Sequence, residues 1–398
     1  VHPLPTTTAT ATPNEICFGA STELTASSDI TGTIFNWSDG LGSSLTVTVS
    51  PTATTTYSVT GTTLEGCTGT AEVTVTVHPL PTITASANPS EICLGASAEL
   101  TASSDIIGTT FEWGGSLGAG ATKTVSPTTS TTYTVTGTTG AGCTGTAEVT
   151  VTVHPLPTIT ATATPVEICL GASAELTASS DIIGTTFNWS NSLGTNPTVT
   201  VSPTTSTTYT VTGTTGAGCT GTATVSVTVN PLPSITATAN PNEICLGEST
   251  ELIASSDITG TTFNWSGSLG AGATKTVSPI TTTTYSVTGT TADGCTGTAE
   301  VTVTVHPLPT TTATATPNEI CFGASTELTA SSDITGTIFN WSDGLGSSLT
   351  VTVSPTATTT YSVTGTTAEG CTGTAEVTVT VHPLPTITAS ANPVEICL

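Results

Sequence analysis

Methionine and arginine are absent from this 398-residue sequence, and lysine stands only at Lys123 and Lys275. Against those two cations are 27 carboxylates, giving a formal charge of −25. Nucleic-acid recognition needs clustered cations that displace counterions from phosphates, so that class of partner is excluded. Electrostatic docking on an anionic membrane surface is excluded for the same reason. No apolar run approaches the roughly 18–20 residues that cross a bilayer, so no membrane insertion is expected of this segment. No secretion leader is visible, and the missing methionine reads as a stretch taken from a longer chain. Charged residues make up only 7% and aromatics 4%. Low charge also occurs in disordered chains, but here Val, Ala, Leu and aromatics alternate regularly with Thr, which argues for folded strands. No helical period occurs anywhere.

What is present is a repeat. The string V-[HN]-P-L-P begins at Val1, Val77, Val153, Val229, Val305 and Val381, always 76 residues apart. The expected domains are therefore 1–76, 77–152, 153–228, 229–304 and 305–380, with 381–398 opening a sixth. Residues 305–380 match 1–76 except that Leu64 becomes Ala368, and the last piece matches 77–94 except that Ser90 becomes Val394. Four repeats thus form a larger duplicated unit, as in a long uniform array.

Within the first copy, Pro13, Pro51 and Gly32, Gly40, Gly42, Gly61 and Gly66 divide the chain into short segments. Between them, period-two alternation marks half-buried strands. Residues 22–28 would point Leu24 and Ala26 inward, 33–38 would bury Phe35 and Trp37, and 45–49 would bury Leu45, Val47 and Val49. Residues 56–61 offer Tyr57 and Val59, and 70–77 offer Ala71, Val73, Val75 and Val77. An opening strand offers Ile83, Ala85 and Ala87 in the second copy. Six or seven strands with turns every 8–12 residues fit two antiparallel sheets packed face to face. At 76 residues one unit buries little apolar surface, so disulfides and stacking on neighbouring repeats would supply further stability. The HPLP segments read as stiff junctions.

The series ICFGASTELTA (16–26), NWS (36–38), TTYSVTG (55–61), GCTG (66–69) and VTVTVHPLP (73–81) resembles bacterial immunoglobulin-like repeats. These occur in tandem in large secreted surface proteins, including gliding-associated ones, and are related in style to PKD-like modules. The resemblance covers every repeat. It implies an all-β fold, a tandem array of Ig-like β-sandwiches, with Trp37 as the core Trp of the third strand and Tyr57 near the start of the sixth. Trp113, Trp189, Trp265, Trp341, Tyr133, Tyr209, Tyr285 and Tyr361 are the equivalent core positions. The sequence departs from antibody domains in having Val59, not Cys, two residues after Tyr57.

Cysteines stand at Cys17, Cys67, Cys93, Cys143, Cys169, Cys219, Cys245, Cys295, Cys321, Cys371 and Cys397, spaced alternately by 50 and 26. Zinc sites use closely spaced Cys or His pairs, and none exists. Disulfides are the natural reading and imply an extracellular or cell-surface setting. Three pairings stay open. Cys17–Cys67 within a repeat is the simplest, although in an Ig topology the two cysteines sit about one strand length, roughly 23 Å, apart. Cys17 could instead meet Cys143 across a junction, or Cys67 could meet Cys93 if HPLP turns the chain back.

Other candidate chemistry is sparse. His2, His78, His154, His306 and His382 all lie in the junction string, with Asn230 in the fourth copy, and read as linker residues. Serines abound, but a nucleophile needs a base and an orienting acid beside it, and nothing singular marks one; no enzyme and no cofactor are expected. Asp29, with Asp105, Asp181, Asp257 and Asp333 at the same place, is better suited to a turn than to calcium, which takes six to eight oxygens. Asp39 is replaced by Gly115, Asn191 and Gly267. N-x-S sequons make Asn36, Asn188, Asn264 and Asn340 candidate carriers of covalent glycans, since strand alternation turns them outward when Trp faces in. Thr-dense faces are further O-glycan candidates, and they resemble ice-binding surfaces, for which a twisted sandwich is a poor platform.

The function expected is structural: a rod-like stalk or fibril on, or shed from, a bacterial surface. Its partners would be neighbouring repeats of the same chain, with lateral self-assembly through strand edges. The alternative is an adhesin whose repeats bind glycan or a partner protein, which ordinarily needs aromatics on loops.

Overall fold

The computed structural model describes residues 1–390. Every regular element among them is a strand, and no helix is long and apolar enough to cross a membrane. The first repeat contains β1 (Thr7–Thr12), β2 (Glu15–Cys17), β3 (Thr22–Ser28), β4 (Ile34–Trp37), β5 (Thr46–Val49), β6 (Thr55–Thr62) and β7 (Thr68–His78). One sheet has the order β1-β3-β5 and the other β2-β7-β6-β4. This is the strand order of an immunoglobulin sandwich, with the first strand divided between the two sheets. Pro13 makes the division. It has no N–H to continue the ladder, and beyond it Glu15, Ile16 and Cys17 pair in parallel with Thr76, Val77 and His78.

The second repeat adds β8 (Ile83–Asn88), β9 (Glu91–Cys93), β10 (Ala98–Ser104), β11 (Thr110–Trp113), β12 (Gly118–Ala119), β13 (Thr122–Val125), β14 (Thr131–Thr138) and β15 (Thr144–His154). Its sheets are β8-β10-β13 and β12-β11-β14-β15-β9. The same pair of sheets recurs in every repeat. The protein is a tandem array of Ig-like sandwiches. Its chain divides into two compact units: Val1–Thr164, Glu175–Thr200 and Thr208–Val225 form one, and Pro165–Ala174, Val201–Thr207 and Ser226–Leu398 the other.

Alternation builds the cores. In the first repeat Ile16, Leu24, Ala26, Phe35, Trp37, Val49, Tyr57, Val59 and Val75 close into one cluster, and the second, fourth and fifth repeats carry matching clusters. All five tryptophans are buried, and each indole N–H donates to a loop carbonyl, from Trp37 to Ser44 O at 3.0 Å through Trp341 to Ser348 O at 3.1 Å. Leu45 departs from expectation. It is 56% exposed, because β5 starts one residue later and the Leu45 carbonyl accepts from Ala26 N–H at the sheet edge.

The tyrosines also differ between copies. Tyr57, Tyr209 and Tyr361 are buried, whereas Tyr133 and Tyr285, expected in the core, are only half-buried. The buried ones occur where Asp39, Asn191 or Asp343 stands in the loop after the Trp strand. Where Gly115 or Gly267 stands there, the tyrosine is half-buried and still packs against the core. Burial first, and then the Asp39 carboxylate, push Tyr57 above the ordinary phenol value.

Candidate functional site: the junction between repeats

Each junction is built from two rigid pieces. On the leading repeat, Cys17 ends β2 opposite His78, the last residue of β7. Phe18 N–H donates to His78 O at 2.8 Å, and Ala20 N–H turns back to Cys17 O at 2.9 Å. The Glu15 carboxylate lies 3.0 Å from His78 Nε2. The same His–Glu pair recurs as His154–Glu91, His306–Glu243 and His382–Glu319. Opposite Cys169 of the third repeat, Asn230 from the start of the fourth takes the histidine's place.

On the following repeat, the turn between β14 and β15 presents Cys143. Thr139 N–H donates to Cys143 O and Gly142 N–H to Thr139 O, both at 2.9 Å. Cys143 N–H donates in turn to Thr139 Oγ1 at 3.2 Å. Cys143 is thus fixed in a closed turn and fully buried.

Disulfides join these pieces. Cys17 bonds Cys143 and Cys93 bonds Cys219 in the first unit; Cys169 bonds Cys295 and Cys245 bonds Cys371 in the second. All four have a Cα–Cα distance of 5.5 Å and a sequence separation of 126. The simplest pairing, Cys17–Cys67, does not occur. Cys67 precedes β7 and Cys17 sits beside its far end; β7 is 11 residues long, about 33 Å at strand rise, while bonded cysteines need Cα atoms within about 7 Å. The Cys67–Cys93 hairpin fails likewise, since Cys93 pairs with His154 at the far end of β15. Cys67 and Cys321 are thiols, contrary to the expectation that they would be bonded, and the register of 126 from either falls beyond residues 1–398. Cys397 lies outside the described residues.

Beside the bonds the surface is shallow. His78, Pro79, Ile106, Thr139, Gly140 and Ala141 line a hollow of about 290 Å³, repeated at His154, Pro155, Ile182, Thr215, Gly216 and Ala217. No acid–base or nucleophilic constellation faces either hollow.

The aspartates have a structural task. Asp29 Oδ1 accepts the N–H of Thr6 at 2.7 Å, tying the start of β1 to the end of β3. Asp105, Asp181, Asp257 and Asp333 do the same for Thr82, Thr158, Ser234 and Thr310. The Thr6 backbone N–H, and then its hydroxyl, hold Asp29 below the usual carboxylate range. Among the described residues no group of three or more His, Cys, Asp or Glu could hold a metal ion.

The sequon residues Asn36, Asn188, Asn264 and Asn340 are all exposed, pairing across the strand with Thr60, Thr212, Thr288 and Thr364. The short β2 strand, which creates the junction, was not anticipated. At three residues it has no period to detect; its signal is the buried Ile16 directly before Cys17.

The strand order defines the class, a tandem Ig-like sandwich protein. Compared by sequence, the chain matches no family model and no curated protein. Among solved structures it is similar to the N-terminal eight Ig domains of Down syndrome cell adhesion molecule, isoform 1.30.30, at 14% identity and TM-score 0.35, over 95% of this chain and 60% of that one. The chain therefore spans under two thirds of that fragment. It is also similar to a Ca2+-stabilized adhesin with which an Antarctic bacterium binds ice, at 20% identity and TM-score 0.31 over 76% of this chain and 99% of that one, and to the ICAM-5 D1–D4 ectodomain fragment, at 12% and 0.34 over 76% and 100%. The fold assignment rests on the strand order itself.

Proposed function

We propose that this protein is an extracellular structural spacer, a stalk or fibril segment of bacterial surface type, whose working units are the repeats 1–76, 77–152, 153–228, 229–304 and 305–380, with 381–398 opening another. The observation that carries this reading is the disulfide register: among the described residues every bond joins one repeat to the next, and none lies inside a repeat. Such bonds form in oxidising surroundings. Their local geometry fixes neighbours together, and the five indole rings are buried rather than offered to a ligand. No catalytic role is part of the reading. Asn36, Asn188, Asn264 and Asn340 are proposed as outward positions for covalent glycans, and free strand edges as sites of lateral self-assembly.

Electron microscopy of the purified oxidised protein tests this: uniform filaments formed without ligand support it, and compact unordered particles overturn it. One observation favours the adhesin reading. Ile107 and Ile183 are fully exposed on loops of the second and third repeats only. Selective capture on a glycan array by a fragment containing both loops, abolished by I107T with I183T, would establish that reading instead.

A further inference from the structure

We infer that the four disulfides turn the single chain into a two-rail covalent ladder that cannot lengthen when its domains unfold. The argument starts from connectivity. From Cys17 a bond leads to Cys143, 26 residues of chain lead to Cys169, a second bond leads to Cys295, and 26 more reach Cys321. An interleaved path leads from Cys67 to Cys93, across to Cys219, on to Cys245 and across to Cys371. The bodies of the repeats, such as residues 94–142, link one path to the other as rungs.

The rails are already drawn out. Between Cys67 and Cys93 only residues 79–82 and 89–90 are not strand, and between Cys143 and Cys169 only 155–158 and 165–166. A strand rises about 3.3 Å per residue and a fully stretched chain gains at most about 3.6 Å, so a rail can extend by only about a tenth. The direction is consistent as well. In the second repeat the start of β8 lies against Gly145 at the start of β15, and β9 runs parallel to the end of β15. The chain enters and leaves each such sandwich along the same line.

The consequence is quantitative. Pulled between Cys17 and Cys321, the oxidised protein is limited by two 26-residue rails, a contour of about 190 Å. Reduced, the same two points are separated by 304 residues, about 1,100 Å. Tension therefore bypasses the folded bodies. Loss of one domain's fold, or a single break in the backbone anywhere between Cys17 and Cys371, leaves the array connected at its working length.

This deepens the spacer reading, and the test separates the two. The full chain is stretched by optical tweezers through non-cysteine handles at the exposed Ser21 and Ser325, with and without thiol reductant. The expected result is no stepwise gain when oxidised, and steps of up to about 270 Å on reduction. Gains of that size in the oxidised chain overturn the ladder and leave the spacer reading standing, whereas a glycan-array hit overturns the spacer and leaves the ladder. A second measurement needs no force. With a protease site placed in the exposed turn at 114–116, cleavage must leave the oxidised protein in one piece on a non-reducing gel and give two fragments after reduction; two fragments without reductant refute the ladder.

Discussion

Between Cys67 and Cys93 the chain is strand for nearly its whole length and makes no reversal within a sandwich. Between Cys93 and Cys143 it folds back and forth through β10 to β14 and supplies Leu100, Trp113 and Val135 to the core. The two segments differ in what holds them. The connecting segment is fixed by a disulfide at its Cys93 end and along its length by ladders, whereas the body depends on one small apolar cluster. A 76-residue sandwich has little core to spare, and the covalent links lie outside those cores, between one repeat and the next.

Reducing the disulfides should erase this difference, and it is the largest effect expected. On chain-entropy grounds each loop of this length contributes about 4–5 kcal/mol, although interlocked loops will sum to less than four times that. Tryptophan fluorescence in a denaturant series should show a large fall in the unfolding midpoint with reductant. An unchanged midpoint would mean the bonds restrain nothing. Next comes W113A, which removes the largest buried side chain of the second body at a cost of about 3–5 kcal/mol. Hydrogen exchange of the oxidised variant should rise across 98–138 and stay low in β7 of the preceding repeat. A rise through both repeats would show that body and connecting segment are one cooperative unit.

Much of this was legible in the sequence, for identifiable reasons. Period-two alternation places Leu24, Trp37, Val59 and Val75 inside, and all four are buried. The cysteine register was legible only as three open alternatives. Choosing among them requires β2, and Glu15–Cys17 is too short to show alternation; its pairing with Thr76, Val77 and His78 depends on residues some sixty positions away. Leu45 misled because a hydrophobic residue at a strand's edge keeps the alternation without keeping the burial. Tyr133 and Tyr285 pack against their cores but stay half-buried, and glycine stands in the loop where the buried tyrosines' repeats have Asp or Asn. Asp29 looked like a turn residue, yet its partner, the Thr6 N–H, lies in the segment just before β1, 23 residues earlier in the chain.

Glycines give a finer contrast between the two kinds of segment. At Gly145, in the connecting strand, an added Cβ would run into the backbone carbonyl of Pro81. G145A should therefore destabilise by about 1–3 kcal/mol. Gly140, in the turn before Cys143, has open space around it, so G140A should change stability by less than about 0.5 kcal/mol. Equal effects would mean that the junction backbone yields where the structure shows it pressed close.

The smallest effect concerns pH and the aspartates that pin each connecting strand to its body. The backbone N–H of Thr82, and then its hydroxyl, hold the Asp105 carboxyl below its ordinary value. The folded state therefore favours the ionised form. The contribution is fully present above the unfolded carboxylate range, about pH 4, and is lost as pH falls through the depressed folded value. Stability measured from pH 6 downward should decline with a slope that D105N makes shallower, because an amide at this position cannot take up the proton. Since Asp105 is exposed to solvent, the change should be small and confined to the acid limb. A difference between D105N and wild type that persists undiminished to pH 2 would show that shape rather than charge ties β8 to the end of β10.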